Sequence, residues 1–399
     1  VSLGVVLHNT SLITFANTLS TPNNSFVIGA IFIVAFTLIT LLGNRVYFAF
    51  QTIAFAFMIV AFLITVGVFA TNSPVNFSNL IDKTFGAGTY NYMIDEFSKQ
   101  GGYTLRPFFT AFLSGIVLWA GINTWSLGTS MIAGEIKQAN KIKTWLISNV
   151  LGAIVVGVLF AITAQLYLSS VGEKFVYAAT YLSGTQYYKI VFPPYYSSFV
   201  ILASPSVILS VIFAIGFFLG GIFYMPQNQI IASRMMLAFA FDRLAPAKLG
   251  EVSERFHVPV ISTLIALLIS LVSLWIYVYT NWLGFFSQLF AVAFSFLLTS
   301  IAAIIFPYRR RELYEHSPAN KKIAGIPLMS VLGFANAIFM GAFIYENWVD
   351  SALGSNSIQS VGLITGVLVF SFVLFWVIKW VRKKQGIDVD ALFREIPPE

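Results

Sequence analysis

No cysteine occurs in the 399 residues, so disulfides, thiolate metal centres and cysteine nucleophiles are excluded. Histidine is nearly as scarce: His8, His257 and His316 lie far apart and make no metal-ligand spacing. Charge is thin as well. Asp, Glu, Lys and Arg make up 10% of the chain, where a water-soluble protein carries about a quarter. So small a complement cannot wet the outside of a chain this long, and most of that surface must face hydrocarbon. No basic segment precedes an apolar core at Val1, so there is no signal-peptide pattern. The chain opens without Met and directly in apolar sequence, so the natural N-terminus is expected to lie upstream.

What is abundant is apolar. Hydrophobic residues make up 58% of the chain, and the mean hydropathy is +0.82. They fall in long blocks of the kind that crosses a bilayer, for which roughly 20 residues suffice. Complete spans are expected at about 26–43, 46–71, 107–133, 144–170, 199–225, 259–280, 283–307, 324–346 and 358–380, preceded by a partial one over 1–20. The span at 199–225 is expected to continue as helix toward Phe241. The fold class is therefore an all-α polytopic membrane protein.

Basic residues set an orientation. Lys83, Lys99, Arg106, Lys174 and Lys189 lie on one side of the alternating spans, and the other 18 of the 23 basic residues lie opposite. By the positive-inside rule the richer side, with the C-terminal tail, is cytoplasmic. The net charge of +7 thus reflects topology and implies no nucleic-acid partner. The two long outer loops, about 72–106 and 171–198, read either as caps over a vestibule or as plain solvated loops.

An ionisable side chain at mid-membrane usually marks an ion path. None is visible, since Arg45, Arg106, Glu135, Arg234 and Glu346 all fall near span ends. An enzyme would need such groups, and no catalytic residue or cofactor is expected. Recognition must then use neutral dipoles, backbone and aromatic surfaces. Trp119-Ala120-Gly121-Ile122-Asn123-Thr124-Trp125-Ser126-Leu127-Gly128-Thr129-Ser130 concentrates these. Glycine weakens a helix by roughly 1 kcal/mol relative to alanine, and unwound backbone within a membrane can hold a solute. Small residues also permit close helix packing, and the chemistry alone supports both readings. A second polar run, Tyr224-Met225-Pro226-Gln227-Asn228-Gln229, reads as a polar helix end or as a bend at Pro226. Gly216, Gly220 and Gly221 read as packing positions, and Asn336 as an interhelical hydrogen bond.

The polar loops then become recognisable. Ser233-Arg234-Met235-Met236, Phe239-Ala240-Phe241-Asp242-Arg243-Leu244-Ala245-Pro246 and His257-Val258-Pro259 resemble a signature of the amino acid–polyamine–organocation permeases, with Phe-Asp-Arg where the family has Arg-Asp-Gly. Ala133-Gly134-Glu135-Ile136-Lys137 is similar to the family's A-E-E-x-K at the end of its sixth helix. Pro307-Tyr308-Arg309-Arg310-Arg311 and Gly325-Ile326-Pro327-Leu328 fit its later loop. The resemblance implies two inverted five-helix repeats plus two C-terminal helices, over a permease domain at 1–385 and a tail at 386–399. It makes 107–133 the sixth helix and 1–20 the end of the third, leaving the first two outside this sequence. It implies an amino acid or amine substrate, alternating access, and coupling to H+ or Na+ or to exchange. The substrate-binding group it implies is Gly121, Asn123, Thr124, Trp125, Ser126 and Gly128. Some proton-coupled relatives carry a lysine midway along the fifth helix; Phe55-Ala56-Phe57-Met58-Ile59 has none.

Overall fold

The computed structural model describes residues 1–102, 107–123, 128–139, 141–280, 282–317, 319–353 and 355–392. The chain opens on two short helices, α1 (Ser2–Val6) and α2 (Thr10–Leu19), where one partial span was expected. His8 in the turn between them has φ 50°, and Asn9 caps α2 by accepting from the Leu12 amide at 3.0 Å. Helix α3 (Pro22–Leu41) starts on a proline, whose missing N–H costs nothing in a first turn. Helix α4 (Asn44–Thr71) follows across Gly43.

The first long loop holds α5 (Pro74–Phe85), capped by Ser73, and α6 (Thr89–Lys99). Helices α7 (Phe108–Asn123) and α8 (Gly128–Met131) fall within the span expected at 107–133. Then α9 (Ile142–Trp145) runs through a π-helical turn, Leu146–Leu151, into α10 (Gly152–Val171). The second long loop holds α11 (Glu173–Leu182) and α12 (Tyr196–Ala203). Next come α13 (Val207–Ile222), α14 (Met225–Phe241), α15 (Val260–Tyr279), α16 (Gln288–Arg309) and α17 (Arg311–Glu315). A two-residue hairpin joins β1 (Lys322–Ile323) to β2 (Ile326–Pro327), and its turn residues Ala324 and Gly325 have φ 50° and 82°. The chain continues with α18 (Leu328–Val349), α19 (Ile358–Lys384) and α20 (Val389–Leu392).

Among the described residues, eight helical stretches are long and apolar enough to cross a membrane. They coincide with eight of the nine complete spans expected, and α7 with α8 occupies the ninth. One boundary is corrected. The span expected to start at 199 starts at Val207, because Ser204-Pro205-Ser206 breaks the chain and Ser206 caps a new helix by accepting from the Leu209 amide at 3.3 Å. Its continuation to Phe241 is observed, interrupted at Phe223 and Tyr224.

The helices gather into two compact units. One comprises Val1–Leu105, Ile154–Arg234 and Glu251–Leu274. Its densest packing is in the two long loops. Phe77, Ile81, Met93, Phe175, Ala178, Leu182 and Phe199 have no accessible surface at all. Each such Phe or Leu contributes roughly 1.5–3 kcal/mol by leaving water. The loops are thus a folded helical cap, seated on the C-terminal ends of α4 and α10 through Val68, Phe69 and Val171. The sequence shows the aromatic content of these loops but not the pairing of four short helices that buries it. Below the cap, α4 and α13 meet closely. A Cβ on Gly216 would lie 2.5 Å from the Phe57 carbonyl and 2.8 Å from Ala61 Cβ, and Gly220 rests on Met58. Both are packing positions; Gly221 has nothing within 4 Å.

The other unit comprises Arg106–Ala153, Met235–Gly250 and Trp275–Glu399. Here α16 and α18 form a hairpin in which Gly333 lets the backbone of Ser300 approach. Two hydrogen bonds cross it: Ser330 Oγ to the Ile304 carbonyl at 2.9 Å and Asn336 Nδ2 to Ser300 Oγ at 2.6 Å. Helix α7 joins through Val117, which packs with Ala293 and Phe343.

The cap turns on Gly172, at φ 94°, where a Cβ would collide with the Tyr90 hydroxyl. That hydroxyl donates to the Val171 carbonyl at 2.9 Å, and burial pushes the Tyr90 phenol up to about 12. An unfolded phenol titrates near 10. This contribution to stability is therefore complete below pH 10 and is lost as pH rises through 12. Gly172→Ala should cost about 2–3 kcal/mol, read as a lower melting temperature of the purified protein in detergent. In a Tyr90→Phe background the collision goes and about 1 kcal/mol of backbone strain should remain.

Candidate functional site

The polar stretch expected to bind solute is described on either side of 124–127. Gly121 and Asn123 are helical, within α7, and Gly128 is helical and buried, within α8. Thr124, Trp125 and Ser126 lie outside the described residues, so the structure does not bring the six together or separate them. One residue on, Thr129 Oγ1 donates to Asn149 Oδ1 at 2.8 Å. Asn149 sits in the π-helical turn, a deviation often found at functional positions. Nothing in the sequence marks that turn, since its residues suit an α-helix equally well.

The same next helix clasps the segment resembling A-E-E-x-K. Ala133–Glu135 forms a 3-10 turn, and Gln138 adopts φ 60°. Thr144 Oγ1 then donates to the Gln138 carbonyl at 3.0 Å, and Trp145 Nε1 to the Ala139 carbonyl at 2.6 Å. Two carbonyls left over beyond the 3-10 turn thereby find side-chain donors.

Helix α7 has a second anchor that sequence reasoning passed over. Glu346 falls near the end of α18, as expected, yet it is only 4% exposed, and Asp350, one turn on, is 8% exposed. Ser114 Oγ lies 2.6 Å from Asp350 Oδ2 and 3.3 Å from Glu346 Oε1. A hydroxyl between two buried carboxylates ties α7 to α18 at that end. The i, i+4 spacing of the two acids was visible in sequence; their burial was not.

In the other unit the polar run after Tyr224 forms a true interruption. Pro226 supplies no N–H, the helix breaks at Phe223 and Tyr224, and the Phe223 carbonyl accepts from Gln51 Nε2 of α4 at 2.6 Å. Three residues on, buried Gln229 donates to Ser270 Oγ of α15 at 2.9 Å. The bend reading of this run holds, with a polar strut on either side.

The signature segment begins where α14 stops. Leu244 and Ala245 amides both return to the Phe239 carbonyl, at 2.8 and 3.0 Å, and Arg243 takes φ 54° to let them do so. A left-handed residue after a helix end is the position that favours glycine, which accounts for glycine there in the motif this segment resembles. Downstream, His257 has φ 54°, and its amide returns to Ser253 at 2.8 Å. The carbonyl of Ala245 accepts from Arg382 Nη2 of α19 at 2.7 Å. The model of the family described as amino acid permease matches residues 5–392, nearly the whole chain.

The chain belongs to the amino acid permease family. This is a family of transporters rather than enzymes, and with the apolar spans it makes the chain a multi-pass membrane protein that carries amino acids across a membrane. No curated protein and no solved structure gives a match. In this permease the signature loop carries a strained arginine. Arg243→Gly should relieve roughly 1 kcal/mol, partly offset by glycine's greater unfolded-state freedom, and a small rise in melting temperature checks it. Ser114→Ala should cost about 1–3 kcal/mol by removing a donor from the buried carboxylates, measured in the same melt.

Proposed function

We propose that this permease is a secondary transporter working by alternating access. It binds one amino acid or related amine at mid-membrane, between α7 and α8, and couples its passage to H+ or Na+ or to exchange. The observation that carries the reading is the family match over residues 5–392 together with a stretch of the sequence that concentrates amide, hydroxyl, indole and glycine within an apolar span. Gly121 and Gly128 frame that stretch. Asn123, Thr124, Trp125 and Ser126 supply the polar and aromatic surface for the solute, and the Thr129–Asn149 bond steadies the chain just beyond them. A helix broken there would offer backbone dipoles to a zwitterion without placing a formal charge in hydrocarbon. The basic loops and the tail at 386–399 face the cytoplasm.

Uptake of radiolabelled amino acids into proteoliposomes, under imposed proton or sodium gradients and with unlabelled solute inside, tests transport directly. Saturable uptake under one of these conditions is expected; binding without flux would instead make the chain a solute sensor. Trp125→Ala should weaken solute affinity about tenfold or more while the protein still inserts and melts normally. Unchanged affinity would move the site elsewhere. Because the chain has no cysteine, Gln385→Cys gives a single reporter of orientation. It should react with a membrane-impermeant maleimide only in inverted vesicles.

A further inference from the structure

The last two turns of α19 differ in kind from the rest of that helix. Its 27 residues extend about 40 Å, against roughly 30 Å of hydrocarbon. The run from Ile358 to Val377 fills the apolar thickness, and Lys379, Trp380, Arg382, Lys383 and Lys384 stand beyond it. Trp376 and Trp380 are exposed, the placement that indoles take at a membrane interface. Lys384 Nζ lies 3.6 Å from the centre of the Trp380 ring, and Lys379 Nζ 5.0 Å from that of Trp376.

The four cations are not equivalent. Lys379 is paired with Asp390 at 2.6 Å. Arg382 is taken up by the Ala245 carbonyl and by Gln385 Oε1 at 3.0 Å. Asp388 is occupied as well, accepting from the Asp390 amide at 3.0 Å. Lys383 and Lys384 are exposed and have no acidic partner among the described residues. Two uncommitted ammonium groups therefore project just outside the apolar thickness, one of them held over an indole face.

We propose that this end of α19 binds the headgroup of an anionic phospholipid. Lys383 and Lys384 take the phosphate, and Trp380 and Trp376 pack against the glycerol and upper acyl chain. Charge complementarity selects the occupant: a zwitterionic headgroup brings its own cation to the site, whereas an anionic one does not. A basic side chain beside an anionic surface is worth about fivefold in association. The inference depends on membrane insertion and not on what the permease carries.

The full chain, reconstituted in phosphatidylcholine vesicles, is titrated with brominated phosphatidylglycerol or brominated phosphatidylcholine at equal mole fraction. The signal of Trp380 is the emission of the wild type less that of Trp380→Phe, since the chain has 8 tryptophans. Quenching by the anionic lipid is expected at several-fold lower mole fraction. The preference should disappear in Lys383→Gln/Lys384→Gln and shrink in Lys383→Gln alone, which serves if the double variant inserts poorly. Equal quenching by the two lipids, or a preference that survives these substitutions, overturns the proposal. Loss of the preference on adding millimolar inorganic phosphate to the wild type would assign the lysines to soluble anions and overturn it too.

Discussion

Every backbone N–H and C=O that lies in hydrocarbon must find its partner inside the protein, because no water is there to take it. That requirement explains why the spans are helices, and also what happens where a helix stops being regular. At Pro226 the ladder fails and Gln51 arrives from a neighbouring helix to take the Phe223 carbonyl. At the π-helical turn, the side chain of Asn149 is met by that of Thr129. Where the 133–141 segment leaves its span, Thr144 and Trp145 reach back to it. At these described irregularities a polar side chain from a neighbouring segment is at hand.

Between helices the second constraint is steric. Lipid tails are as apolar as leucine, so helices gain little from burial alone and associate by close packing and hydrogen bonds. Gly216 against Phe57 and Gly333 against Ser300 do this in the two units separately. Each unit thus has its own tight helix pair, α4 with α13 and α16 with α18, while helices such as α19 keep most of their surface outward. The chain passes from one unit to the other five times, three of them within the helices α10, α14 and α15.

The spans were legible because hydropathy answers to one number, the thickness of the hydrocarbon layer. The motif segments were legible in another way: Arg243 stands where the family pattern has glycine, and its left-handed backbone shows why glycine suits that place. What stayed hidden depends on three-dimensional company. Glu346 reads as an acid near a helix end, and only the approach of Ser114 and Asp350 reveals it as buried. The early break at Ser204-Pro205-Ser206 was in plain view, but the apolar residues before it pointed to membrane; they are apolar because they are the centre of the cap. Of the expected solute group, Gly121, Asn123 and Gly128 are helical residues. The rest lie outside the described residues.

The cap also bears on how the chain must be made. Its first half, α5 and α6, emerges before α7 to α10, yet the surfaces that hold Phe77, Ile81 and Met93 belong to α11 and α12. Those two amphipathic helices therefore wait, without their partners, through the synthesis of more than seventy further residues (positions 100 to 172). During that interval their apolar faces are open to lipid headgroups or to assembly factors. Early termination of translation, anywhere before Glu173, would leave a polypeptide whose spans are inserted and whose most hydrophobic extramembrane surface is still bare.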